Sequence, residues 1–123
     1  MPATDQSTML LLVEDDQLLR SITAEMLREE GYSVLEASRA EEALERLASD
    51  PPVDVLLSDI NMPGLDGVAL ARLVAARLPG LRLILTSGRL LGTDDLPPGA
   101  LFLPKPFTAR QLLAAVGGGH ATA

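Results

Sequence analysis

Cysteine and tryptophan are absent, and the aromatic complement is one tyrosine and two phenylalanines. Without cysteine there is no disulfide and no thiolate metal site, and the redox compartment stays open. Positive charge is scarce as well. Ten basic residues face 17 acidic ones, a net charge of −7, which argues against a nonspecific basic face for nucleic acid or anionic membrane. No apolar run approaches the ~20 residues that a membrane helix needs. Met1 to Thr8 lacks the basic and apolar regions of a secretory signal, so a cytoplasmic location is the default expectation. Lysine is nearly missing. Lys105 stands alone, every other basic residue being arginine. A solitary lysine after a short apolar run suggests a site needing a compact ammonium rather than a planar fork.

What is present is alternation. A length of 123 residues, 47% of them hydrophobic, suits one domain with a real core. Met9–Val13 reads as a strand buried on both faces and ends abruptly in acids. Gln17–Glu30 has helical spacing, with Leu19, Ile22 and Met26 on one side, Asp16 as cap and Gly31 as stop. Ser33–Ala37 is a second strand. Ser38 and Glu41 form a capping box for a helix through Ala48, with Ala40, Ala43, Leu44 and Leu47 inward. Asp50-Pro51-Pro52 breaks it. Val53–Ser58 is a third strand, ending at Asp59. After the loop Asn61 to Gly67 a helix runs to about Leu78, with Leu70, Ala71, Val74 and Leu78 inward. Leu81–Thr86 and Ala100–Leu103 are the fourth and fifth strands. The breaker-rich stretch between them allows at most a short or irregular fourth helix near Leu90–Asp95. Thr108 and Gln111 form another capping box, opening a last helix to about Val116. Residues 1–8 and 117–123 read as disordered ends around a domain at 9–116.

Strand and helix alternating about five times imply an α/β fold, a parallel sheet covered on both faces. The order most compatible with it is the flavodoxin-like, doubly wound 2-1-3-4-5, whose switch point lies between strands 1 and 3. The acids after strand 1, Asp59 after strand 3, Thr86 after strand 4 and Lys105 after strand 5 would share one rim. Carboxylates gathered there repel, by about 4 kcal/mol per pair at ~4 Å and an effective dielectric of ~20. A hard divalent cation relieves this, and magnesium suits such oxygen donors. Taken alone, Glu14-Asp15-Asp16 reads equally as an acid-enriched helix N-terminus, and Asp16 fills that role. Joined to Asp59 and Lys105, Glu14 and Asp15 point to a metal-assisted phosphoryl site. Asp59, deepest in the cluster, could act as a nucleophile forming an aspartyl phosphate. Catalysis would then be positioning plus neutralisation of phosphoryl oxygens by the metal and Lys105. Thr86 is either an ordinary strand residue or a hydroxyl donor to the phosphoryl group. Ser87 should point to the other face. Phe102 is either core or a rotamer switch filling space that Thr86 vacates. Phe107 reads as core, and His120 has no role.

These residues resemble the receiver domain of bacterial response regulators. The resemblance covers roughly Met9 to Val116. It rests on Leu12-Val13-Glu14-Asp15-Asp16, on Ser58-Asp59-Ile60-Asn61-Met62-Pro63-Gly64-Leu65-Asp66-Gly67, on Leu85-Thr86-Ser87-Gly88, and on Phe102-Leu103-Pro104-Lys105-Pro106-Phe107. It implies that Asp59 is the phospho-acceptor. It implies that Asp15 binds magnesium directly, Glu14 through water and Asn61 through its backbone carbonyl. Thr86 and Lys105 match the family's hydroxyl and lysine, and Phe102 its aromatic switch. Two features depart from the pattern: Phe102 has no phenolic hydroxyl, and the segment between Thr86 and Phe102 is short. The implied donor is a sensor histidine kinase or a histidine phosphotransfer protein. The chemistry is self-catalysed phosphoryl transfer with slow autodephosphorylation, not enzymatic turnover, and the output partner is unspecified. Rival expectations are a receiver excised from a hybrid histidine kinase; a metal-dependent aspartyl-phosphate phosphohydrolase, which needs a second acid to activate water and has Asp66 as its nearest spare carboxylate, in a turn, Gly64–Gly67, expected to point it away; and a binding-only scaffold, against which the quartet Asp15, Asp59, Thr86 and Lys105 argues.

Overall fold

The structure is a computed structural model that describes residues 8–49, 52–88 and 96–117. Chain order is β1 (Met9–Val13), α1 (Gln17–Glu29), β2 (Ser33–Ala37), α2 (Ala40–Ser49), β3 (Val55–Asp59), α3 (Gly67–Arg77), β4 (Arg82–Ser87), β5 (Leu101–Pro104) and α4 (Ala109–Val116). The five strands form one sheet in the order β2-β1-β3-β4-β5, and every pairing is parallel. The expected fold class and strand order are therefore what the chain adopts. The segment near Leu90–Asp95, His120 and both expected disordered ends lie largely or wholly outside the described residues.

The pleat sorts the core into two layers, since successive strand residues face opposite sides. Leu11, Val13, Leu56, Leu83 and Leu85 pack with Ala40, Ala43, Leu70, Ala71 and Val74 of α2 and α3. Leu10, Leu12, Val55, Leu57, Ile84 and Leu103 pack with Ala24, Leu27, Leu112 and Val116 of α1 and α4. Central β3 is buried along its whole length. Leucines spread over both faces make β1 and the Val55–Leu57 part of β3 continuous apolar runs, as expected of strands covered twice.

Four local expectations are corrected. The buried face of α1 is Thr23, Ala24 and Leu27, whereas Ile22 is 56% exposed and Leu19 and Met26 are only half-buried. The helix has apolar residues around much of its circumference, and close approach to the sheet selects the sector with small Thr23 and Ala24. That sector is rotated by ~100° from the expected stripe. On α2, Glu42 rather than Glu41 answers Ser38, accepting from its N–H at 2.8 Å and its hydroxyl at 3.0 Å. The helix starts one residue later than a Ser38 cap requires, because the Arg39 carbonyl accepts the Ala43 N–H at 3.1 Å. Leu78 is not inward. It follows the last turn of α3 as C-cap and is 40% exposed. Strands β3, β4 and β5 each begin and end one or two residues later than hydrophobicity suggests, because the ladder includes Asp59, Ser87 and Pro104.

The expected caps of α1 and α4 are present. Asp16 accepts the Leu19 N–H at 3.0 Å, and Gly31 beyond the helix end has φ +98°, a conformation that favours glycine. Thr108 and Gln111 exchange both bonds of a capping box, which fixes α4 directly behind Lys105.

Candidate functional site

Register brings the site together. Val13 pairs with Ala37 and Ser58, Asp59 with Thr86, and Ser87 with Pro104. The carboxyl ends of the strands are staggered by up to two residues, β4 and β5 running furthest, and the next residues of β1 and β5, Glu14 and Lys105, reach Asp59 with their side chains. The backbone carries the ladder one step further. The Glu14 N–H donates to Ala37 at 3.1 Å, the Ile60 N–H to Thr86 at 2.8 Å, and the Lys105 N–H to Ser87 at 2.8 Å. These bonds fix the roots of the charged side chains before any of them interact.

Lys105 Nζ lies 2.9 Å from Glu14 Oε1 and 3.5 Å from Asp59 Oδ2. Glu14 and Asp59 are buried and Asp15 is exposed, and carboxylate oxygens of the three lie within 4.8 Å of one another. Glu14 also accepts the Asp16 N–H at 3.1 Å, and Asp59 accepts the Asn61 N–H at 3.2 Å. Burial pushes the Glu14 carboxyl above its ordinary range. Lys105 and the Asp16 N–H oppose that, and the Asp59 charge adds to it. Burial likewise raises Asp59, against Lys105 and the Asn61 N–H and with help from Asp15. Lys105 is partly desolvated, which alone would lower it, but Glu14 and Asp59 together shift it upward. One ammonium therefore serves an acidic trio that it cannot neutralise. An all-oxygen donor set with surplus negative charge fits a hard divalent cation and does not suit a soft metal.

The remaining expected residues are placed as follows. Thr86 is buried at the end of β4, in the strand next to Asp59. Asn61 is on the exposed rim, and its Oδ1 accepts the Ser87 hydroxyl at 2.7 Å. Phe102 is half-buried, pairs with Leu85 and packs on the core layer of α2 and α3. The Lys105–Pro106 peptide is cis. Asp66 does not join the cluster; it caps α3, accepting the Ala69 N–H at 2.9 Å.

Sequence reasoning missed three contributors. Ser87 does share Leu85's side of the pleat, yet its hydroxyl reaches the loop after β3. Gly67 reads as a turn residue, but a Cβ there would meet the Asp59 carbonyl oxygen at 2.2 Å and Ile60 Cα at 2.7 Å, so α3 can start this close to Asp59 only from glycine. Arg20 donates from Nη1 to the Glu14 carbonyl at 2.8 Å. An arginine one turn after an acid cluster, in the sector of Ala24 and Leu27, was its available signal.

The family model described as the response regulator receiver domain matches residues 10–117. The response regulator receiver protein CpdR of Brucella abortus (strain 2308) is 36% identical over 108 residues, covering 85% of this chain and 89% of that protein. The sensor kinase CckA of the same organism is 38% identical over 121 residues, which is 93% of this chain and only 13% of the kinase. A solved response regulator receiver protein from Sinorhizobium medicae WSM419 superposes with a TM-score of 0.85 at 28% identity, over 90% of this chain and 92% of that one.

Proposed function

Because the chain belongs to the response regulator receiver family, we propose that it is a phospho-accepting signalling module with Asp59 as the acceptor. The observation that carries this reading is the position of Lys105 between Glu14 and Asp59 at the carboxyl edge of the sheet. A carboxylate oxygen of Asp59 attacks the phosphorus of a phosphohistidine. The P–O bond forms as the P–N bond breaks, and the departing imidazole nitrogen takes a proton. Lys105 holds the charge of the transferring oxygens, and the Asn61 N–H orients the attacking carboxylate. Magnesium, held by Asp15 and Asp59 with the Asn61 carbonyl and with Glu14 through water, would neutralise phosphoryl oxygens and the crowded acids. The added charge of roughly −1.5 to −2 then draws Thr86 and Lys105 and shifts the population toward an active arrangement. Phe102 has no hydroxyl, so its part in that switch is one of volume alone.

A protein donor, either a sensor histidine kinase or a histidine phosphotransfer protein, is supported by the surface beside the site. Leu18 and Ile22 of α1 are 71% and 56% exposed, and Leu19, Pro106 and Phe107 line an apolar hollow next to Lys105. Among the described residues no helix is long and apolar enough to cross a membrane, and a cytoplasmic place beside the kinase's catalytic domains belongs to this reading. The likeness to one part of CckA keeps a second arrangement in view, in which this chain serves as the receiver portion of a hybrid kinase. The phosphohydrolase alternative is disfavoured because Asp66, the carboxylate considered for activating water, caps α3 and does not join the cluster.

Acetyl phosphate with magnesium should add one phosphoryl group per chain by intact mass, and none to Asp59→Asn. Full labelling of that variant would remove Asp59 from the role, and continued release of phosphate over many turnovers would favour the hydrolase. Asp15→Ala should weaken magnesium binding at least about tenfold by calorimetry; unchanged affinity would take Asp15 out of the ligand set.

A further inference from the structure

At ~100° per residue Arg20 falls in the inward sector of α1 with Thr23, Ala24 and Leu27, and its side chain is 16% exposed. Nη1 donates to the Glu14 carbonyl at 2.8 Å and Nε to Glu36 Oε1 at 3.3 Å. Glu36 is on β2 next to Ala37, whose carbonyl accepts the Glu14 N–H. Glu14 is thus gripped on both backbone sides, its N–H by β2 and its carbonyl by Arg20. The plane of the Glu14–Asp15 peptide sets where both acidic side chains leave the chain. Arg28 shares the network, bonding Glu36 at 3.1 Å and the Val34 carbonyl at 2.7 Å, with both acceptors on β2.

Resting on the reading of this rim as a magnesium and phosphoryl site, we propose that Arg20 is a positioning residue that locks the Glu14–Asp15 peptide so that both carboxylates face Asp59. It acts through the backbone and touches no reacting atom. Two physical effects of removing it have opposite signs. As a nearby cation Arg20 repels a divalent ion, so loss of its charge alone should tighten binding. As a clamp it holds the ligand-bearing loop, and losing outer contacts of this kind weakens metal affinity by about 10–100-fold. The direction of the change therefore separates a clamp from a bystander charge.

The test is a magnesium titration by calorimetry on the full chain, with thermal unfolding run in parallel. Arg20→Met should bind magnesium about tenfold more weakly than the unaltered chain, and Arg28→Met should stay within about twofold. Arg28→Met disturbs the same ion-pair network but spares the Glu14 carbonyl. Acetyl phosphate labelling of Arg20→Met should be slow at low magnesium and approach the unaltered rate at saturation. Arg20→Gln serves the same comparison should Arg20→Met fail to fold. Unchanged or tighter binding in the Arg20 variant, or equal weakening in both variants, overturns the assignment. Absence of magnesium binding by the unaltered chain would overturn the metal reading itself, and the clamp with it.

Discussion

The two ends of the sheet carry similar residues and use them differently. At the amino end Asp54 is exposed, and its Oδ2 accepts the Met9 N–H at 2.8 Å. A cleft beside it is lined by Pro79, Gly80, Arg82, Pro98 and Gly99. The acid there tidies a strand start and stays in water. At the carboxyl end Glu14 and Asp59 are buried with Lys105 between them. An acid beside an apolar strand is therefore ordinary; convergence is what changes its chemistry. A doubly wound sheet sends its strand-to-helix loops to the carboxyl edge, and at the switch point the loops after β1 and β3 diverge and leave a crevice. Among the described residues the concavity at the amino end holds no such cluster.

The largest expected difference between the two ends is catalytic. Lys105→Met should slow labelling by acetyl phosphate by about 10²–10³-fold, whereas Arg82→Met should leave the rate within about twofold. Similar rates for both variants would dissolve the distinction. Next is a packing effect read by urea unfolding. Gly67→Ala drives a methyl into the Asp59 backbone and should cost about 3 kcal/mol. Gly80→Ala has no heavy atom within 4 Å of its new Cβ and should stay within about 0.5 kcal/mol. A mild Gly67→Ala would show that the loop yields more readily than its contacts imply.

The smallest effect is one of pH. Burial raises the Asp59 carboxyl, so its contribution to stability is fully present below its unfolded value and is lost as pH rises through the higher folded one. Asp59→Asn should therefore raise the unfolding temperature of the metal-free protein at pH 7 by a few degrees, about 1 kcal/mol. That gain should shrink toward about pH 4 and with added magnesium. Asp54→Asn, which weakens the bond to the Met9 N–H, should give no gain at pH 7. A pH-independent gain at position 59 would point to packing rather than charge.

The fold was legible because its signals are redundant. Apolar runs, caps and glycines agree along the chain, and one topology accommodates them. The acids and Lys105 were legible because each follows such a run, and strand order turns sequence separation into proximity. What escaped depends on rotation and contact. An amphipathic reading of α1 chose Ile22 over Ala24, because hydrophobicity cannot tell which side of a leucine-rich helix meets a sheet that needs small residues. The same misrotation hid Arg20. Gly67 and Ser87 were opaque for another reason. Their roles lie in the spacing between backbone segments, which no residue type announces.

The Ser87 hydroxyl on Asn61 gives the site a mechanical property that neither residue has alone. It hooks the tip of one strand to the loop of its neighbour, like a rivet joining two levers. On the proposed reading a pull on Thr86 would pass through the adjacent Ser87 to Asn61, whose own N–H donates to the Asp59 carboxylate. If Asp59 takes up a phosphoryl group as proposed, a displacement there and one at the end of β4 would be coupled, and Ser87→Ala should loosen that coupling.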